Sequence, residues 1–156
     1  SSRRSRPRPM PDPAAALRAA ALRLLTRRDH SRAELTAKLA AQAESAEQLN
    51  QVLDTLQAER LLSDHRYASQ RVAARGRRYG NARLSMELRQ HGVADDDIAA
   101  ALPEAGDETE RCRAIWAKKF GRPPQSADER AKQMRFLQYR GFSGEAIRRV
   151  MRGVDE

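Results

Sequence analysis

The apolar positions of this chain repeat. Leu39, Leu88 and Leu137 follow one another at a constant spacing of 49 residues. The same spacing joins Leu49, Ile98 and Ile147, then Val52, Ala101 and Val150, then Leu53, Leu102 and Met151. Gly92 and Gly141 share it, with Ala43 at the equivalent place in the first copy. Self-similarity at a fixed period marks stacked supersecondary units that each bury only part of an apolar face. Nothing long alternates with period two, and Val and Ile are sparse, so the units are built of helices rather than strands.

Helix-start signals place the elements. Asp12 precedes Pro13, an N-cap followed by the residue best suited to the first helical position. Ser31 with Glu34 and Ser126 with Glu129 have capping-box spacing, in which hydroxyl and carboxylate satisfy each other's free amides. Ser45, Ser63, Asn81, Asp95, Asp107 and Ser143 supply further starts. The pattern predicts helices near 13–27, 32–41, 46–59, 64–78, 82–91, 95–102, 108–119, 127–139 and 144–152. Gly92 and Gly141 follow the second helix of their copies and precede Val93 and Phe142, as a left-handed cap with an apolar staple requires. The expected fold is all-α: three tandem three-helix repeats forming an elongated helical array. The repeats span 12–62, 63–105 and 106–156, after a disordered basic arm over 1–11. Helix, glycine turn, helix is also the outline of a DNA-binding helix-turn-helix, an outline that most three-helix units share.

Composition narrows the function. With aromatics at 4%, the cores must be mostly Leu, Ala, Ile and Val, and a repeat of this kind offers an extended surface more readily than a pocket. A net charge of +9 points to nucleic acid, an acidic protein surface or an anionic membrane. Only four of the 30 basic residues are Lys, a ratio that a bias in coding DNA explains as well as selection does. The distribution says more. Residues 66–91 carry Arg66, Arg71, Arg75, Arg77, Arg78, Arg83 and Arg89 against one acid, Glu87, whereas 94–110 carries seven acids and no base. A partner of mixed charge fits this alternation at least as well as bare DNA.

The remaining chemistry is thin. His30 in the first repeat and His65 and His91 in the second lack partners at metal-ligand spacing. Gly76 and Gly80 interrupt an Arg-rich stretch without the Lys-Ser/Thr ending that a phosphate loop needs. Cys112, the single cysteine, reads as a small core residue and implies a reducing compartment. Trp116 and Phe120, one turn apart, read as core of the third unit. No apolar run is long enough to span a membrane. These features argue against an enzyme, and no cofactor or metal is expected. In the fourth predicted helix, Arg71, Arg75 and Arg78 share a sector beside Tyr67, while Ala68, Val72 and Tyr79 face another side. Such a cluster grips carboxylates or phosphates through forked hydrogen bonds; alternatively its arginines answer the neighbouring acidic segment.

Several stretches resemble the RecX family of recombination regulators. Arg28-Asp29-His30-Ser31-Arg32-Ala33-Glu34-Leu35 through Leu39 is similar to the family's opening motif. Asp64-His65-Arg66-Tyr67-Ala68 through Arg71 and Arg75, then Gly80, Arg83, Glu87-Leu88 and Gly92-Val93, continue the likeness. Phe136-Leu137 and Arg140-Gly141-Phe142-Ser143 through Ile147 and Val150-Met151 resemble its C-terminal motif. Ala43-Glu44 departs from the family's glycine and apolar residue at the first unit's turn. The resemblance covers 15–152 and implies a cytoplasmic modulator that lies in the groove of the RecA–DNA filament across neighbouring subunits. It implies inhibition of ATP hydrolysis, strand exchange and the SOS co-protease activity. Contact with several protomers at once would add affinity by multivalency.

The candidate partner-binding residues, for the RecA filament or for DNA, are Tyr67, Arg71, Arg75, Arg77, Arg78, Arg83 and Arg140. RecA is the expected partner, DNA a secondary or indirect one, with no membrane and a monomeric state. Two alternatives stay open: a nucleic-acid-binding module that competes for DNA, and an adaptor for another protein.

Overall fold

The computed structural model describes residues 12–155, so the basic arm expected over 1–11 lies outside the described residues. Within them the chain forms nine α-helices and one 3-10 turn, with no strand. The helices are α1 (Pro13–Arg27), α2 (Arg32–Leu39), α3 (Ala46–Ala58), α4 (Asp64–Arg75), α5 (Asn81–Gln90), α6 (Asp95–Ala101), α7 (Glu108–Lys119), α8 (Ala127–Tyr139) and α9 (Gly144–Asp155). The 3-10 turn, Leu102–Ala105, follows α6 directly. The chain divides into two compact units at Ser63 and Asp64, so α1–α3 make one and α4–α9 the other.

The sequence repeat is a repeat of buried positions. Leu39, Leu88 and Leu137 are each at most 1% exposed, and Leu49, Ile98 and Ile147 at most 3%. Each three-helix group has its own apolar cluster: Leu17, Leu35 and Leu53 in α1–α3, Val72, Leu84 and Ile98 in α4–α6, Cys112, Leu137 and Ile147 in α7–α9. Leu102 departs from the pattern, because it sits in the 3-10 turn and is only partly buried. Trp116 is in the third cluster, its indole N–H donating to the Gln133 side-chain carbonyl at 2.8 Å. Truncating any one of the fully buried leucines removes about 2–5 kcal/mol.

Local chemistry sets most helix ends. Asp12, Ser31, Ser45, Asp107 and Ser126 each accept from an amide of the first turn. The Ser31–Glu34 box is complete. The Ser126–Glu129 pair departs from the expected box, because Glu129 receives the amide of Gln125, one residue earlier than the cap. Gly92 and Gly141 have φ of 77° and 88°, and the amides of Val93 and Phe142 return to the carbonyls of Leu88 and Leu137. Val93 and Phe142 are buried beneath the turns they close. In the first unit the left-handed position falls elsewhere, at Arg60 (φ 61°) after α3.

The fourth helix is shorter than its pattern predicts, ending at Arg75 instead of continuing to 78. A side chain at Gly76 would meet the Ala105 methyl at 2.6 Å, so the chain turns where the 3-10 segment presses on it. Arg77 and Arg78 therefore lie in a turn and not on the helix.

The turn leads into a seam joining the second and third helix groups. The Gly80 amide donates to the Arg140 carbonyl at 2.9 Å and the Ala82 amide to Gly141 at 3.0 Å. A Cβ on Gly80 would strike the Gly141 carbonyl and the Phe142 backbone; one on Gly141 would strike Arg83. Glu108 ties both sides, accepting from the Asn81 amide (2.7 Å) and from the Ser143 hydroxyl (2.6 Å). Arg111 adds bonds to the carbonyls of Gly76 (3.0 Å) and Tyr79 (3.3 Å) and to the Asn81 side chain (2.8 Å). Asn81 is thus the first residue of α5 and a seam residue, not the N-cap that its position after Gly80 suggests. Gly80 takes the cap position.

Candidate functional site

The seven residues singled out in the sequence all belong to the second unit, and the structure sorts them into three groups. Tyr67 goes to the core. It is 4% exposed, clusters with Ala68, Val72 and Ile98, and meets the His91 ring edge-on at 6.0 Å. Burying a ring of this size gains more than holding it beside solvated arginines, so Tyr67 is not the stacking platform that its place on the arginine sector implies.

Arg71, Arg75 and Arg83 converge on Glu87, the one acid of the basic stretch. Arg75 forms a two-pronged pair with it, Nε to Oε2 and an end nitrogen to Oε1, both at 2.7 Å. Arg71 approaches at 3.6 Å and Arg83 at 3.5 Å. Burial pushes the Glu87 carboxyl up, but the hydrogen bonds and charge of Arg75, with Arg71 and Arg83, hold it below the ordinary value. The hydrogen bonds to Glu87 raise Arg75 in turn. These guanidiniums answer a carboxylate inside their own stretch, not the acidic segment at 94–110. From that segment Asp95 pairs with Arg89 at 2.9 Å.

Arg77, Arg78 and Arg140 take the other course. With Tyr79, Ile115, Lys118, Lys119 and Phe136 they line a groove of about 520 Å³. The turn after α4 forms one wall, and α7 and α8 the other. Its five cations have no carboxylate partner among the described residues, and no acid lines it. Arg77, Arg78, Lys118 and Lys119 are exposed. Arg140 is half-buried and donates to the Arg78 carbonyl at 3.3 Å, which fixes it on the seam.

The aromatic rings of the groove already carry cations. Guanidiniums of Arg83, Arg75 and Arg140 lie 4.2, 4.7 and 5.6 Å from the Tyr79 ring centre. Arg140 and Lys119 lie 5.2 and 5.4 Å from that of Phe136. Each such contact contributes about 0.5–2 kcal/mol. Tyr79 is half-buried against the second core while also lining the groove, so it serves both.

Sequence reasoning missed the α7 and α8 wall. Lys118 and Lys119 are two of only four lysines, and Phe136 falls within the C-terminal motif, but nothing in the chain pairs them with a loop some forty residues earlier.

Other reactive groups sit apart from the groove. Cys112 is fully buried and its thiol is pushed up to about 12 by that burial. His30, in the first unit, is buried with Nδ1 3.0 Å from the Arg28 carbonyl and Nε2 3.2 Å from Lys38 Nζ. Burial, opposed by the Arg28 hydrogen bond, leaves its pKa below the ordinary value. Among the described residues no three His, Cys, Asp or Glu side chains gather as a metal site. No described helix is long and apolar enough to cross a membrane.

Comparison with known proteins fits this arrangement. Residues 18–56, 63–102 and 106–151 match the first, second and third three-helix domains of RecX. The chain is 43% identical over 149 residues to the regulatory protein RecX of Ralstonia pickettii, covering 95% of this chain and 94% of that one. It is 47% identical over 144 residues to that of Ectopseudomonas mendocina, covering 90% and 96%. The crystal structure of RecX from Lactobacillus salivarius superposes with a TM-score of 0.83 at 20% identity, over 94% of this chain and 99% of that one. A second crystal structure, of regulatory protein RecX, gives 0.77 at 24% identity, over 93% and 74%. With three matched three-helix domains and relatives of this identity along nearly its whole length, the chain belongs to the RecX family of regulatory proteins.

Proposed function

We propose that this protein is a cytoplasmic, non-catalytic, negative regulator of the RecA recombinase. It binds the RecA–DNA filament in its groove, across neighbouring subunits, and inhibits ATP hydrolysis, strand exchange and the SOS co-protease activity. Membership of a family of regulatory proteins supports the regulatory part. The observation that carries the partner part is the basic groove. Its five cations lack carboxylate partners among the described residues, so a complementary surface gains their electrostatic attraction without first breaking an ion pair there. The hypothesis for inhibition is mechanical: a body bridging adjacent subunits opposes the relative motions that turnover requires.

The competing reading is a nucleic-acid module that meets RecA only by competing for DNA, which the net charge of +9 favours. Against it stand the acidic segment in the same unit and the groove's rings, whose faces already carry cations. The deciding measurement is RecA's single-stranded-DNA-dependent ATPase, titrated with this protein while DNA is in large excess. Inhibition that persists at substoichiometric protein supports action on the filament. Inhibition that vanishes under excess DNA overturns it in favour of competition for the strand.

A further inference from the structure

We infer that the groove between the turn after α4 and helices α7 and α8 takes a short acidic peptide segment of the protein partner, with Arg78, Lys119 and Arg140 receiving its carboxylates. This rests on the filament reading above and names the chemistry by which that partner is gripped.

The fold supplies its own precedent for the anion. Three guanidiniums surround Tyr79, and those of Arg75 and Arg83 also hold the Glu87 carboxylate. Arg140, the third, has no carboxylate among the described residues and faces the groove. The arrangement is one anion short on that side. A guanidinium fork meets a carboxylate or a phosphate equally well, so the surroundings must choose between them.

Three surroundings favour the peptide. First, cations already lie 4.2–5.6 Å from the ring centres of Tyr79 and Phe136, so a nucleobase stacking there competes with them. Second, Ile115 and the Phe136 ring put an apolar wall beside the charges. A peptide can cover such a wall with an apolar side chain next to its acids; a phosphodiester backbone has nothing to place there. Third, Asp95, Asp96 and Glu104 are exposed on the same unit. A long polyanion crossing this unit meets their repulsion, which extends about 10 Å at ordinary ionic strength, whereas a segment confined to the groove need not. The volume, about 520 Å³, suits a few side chains.

The test uses the full chain and a fluorescein-labelled peptide of Glu-Glu-Leu repeats, read by anisotropy. A Gln-Gln-Leu peptide and a labelled oligothymidylate serve as comparison probes. The groove variant combines Arg78→Glu with Lys119→Glu. A control variant makes the same charge change on α9, with Arg148→Glu and Arg152→Glu, all four positions being exposed. The expected result is binding of the acidic peptide alone among the peptides, weakened about tenfold or more in the groove variant and unchanged in the control. Equal weakening in both variants means bulk charge and overturns the site. Loss of oligothymidylate binding with acidic-peptide binding retained overturns it in favour of nucleic acid.

Co-sedimentation with RecA filaments separates this inference from the reading beneath it. If the wild type binds filaments and the groove variant binds them equally well, the peptide groove falls and the filament reading stands. If the wild type binds the acidic peptide but no filament, the filament reading falls alone.

Discussion

Arg75 and Arg78 are three positions apart in one arginine-rich stretch and end in opposite circumstances. Arg75, on the last turn of α4, is locked by two 2.7 Å bonds to Glu87. Arg78, past the helix end, lines an open groove and has no carboxylate partner among the described residues. Gly76 lies between them, where α4 gives way to a turn packed close against Ala105. Charge density along a sequence therefore says little about which cations meet a partner. What matters is whether the backbone keeps them on a packed helix or turns them outward.

The largest effect should come from breaking the seam that holds both groups. Gly141→Ala forces a Cβ into Arg83 at a backbone conformation with φ of 88°. The expected loss is about 3 kcal/mol, at the upper end for local backbone strain because the clash is with the Arg83 backbone in the first turn of α5. Thermal unfolding measures it. Cys112, fully buried in the intact unit, should react much faster with thiol reagents in the variant. An Ala variant as stable as the wild type would show that the turns can separate without cost.

Removing the hub should cost less. Glu87→Gln leaves three guanidiniums without their counter-charge, and we expect a loss of about 2 kcal/mol in denaturant unfolding. Filament binding, measured at a temperature where the variant is folded, should stay within a factor of two, because Glu87 does not line the groove. Loss of binding without loss of stability would reverse the assignment of the two groups.

The opposite signature is expected for the groove. Arg77→Ala, Arg78→Ala and Lys119→Ala together should change stability by less than about 1 kcal/mol, as exposed unpaired side chains do, while weakening filament binding about tenfold. Replacing Arg71, Arg75 and Arg78 together would blur the comparison, since it removes two hub residues and one groove residue.

The smallest effect is a pH dependence confined to the hub. A depressed Glu87 pKa means that the unfolded chain binds the proton more readily, so stability from this group is fully present above the ordinary glutamate value of 4.5. It is lost as pH falls from there through the lower folded value. Urea unfolding across that acid range should show a steeper decline for the wild type than for Glu87→Gln. Parallel curves would mean that the arginines do not hold the carboxylate in solution.

Much of the fold was legible because its determinants are local. Apolar residues 49 apart mark equivalent core positions, and Ser31, Ser45 and Asp107 each cap the helix that they precede. Gly92 and Gly141 announce their turns through the apolar neighbours on their C-terminal side, Val93 and Phe142. The groove was half legible. Arg77, Arg78 and Arg140 stood out by charge and motif, but helical periodicity carried Arg78 onto a helix that stops at Arg75. Ala105, which packs against Gly76 at that stop, is remote in sequence, and no local rule contains the contact. Tyr67 was misplaced for a related reason. A position shared with arginines on one sector does not reveal which end of that sector the rest of the unit covers. Glu108 and Arg111, which no sequence pattern singled out, serve as fasteners across the seam.

The seam also sets an order of events during synthesis. In the first unit the tie of Arg18 to Glu59 spans 41 positions, and all its helices are made before α4 begins. The Arg140 bond to the Arg78 carbonyl spans 62, so the second unit must keep its half-built turn waiting while α7 and α8 leave the ribosome. Contacts of longer range form more slowly. Until they form, Gly80 has no carbonyl from Arg140 to bond and the groove lacks a wall. A nascent or truncated chain ending before Arg140 carries the basic turn without the surface it completes. The recognition proposed for the groove would thereby require the finished molecule.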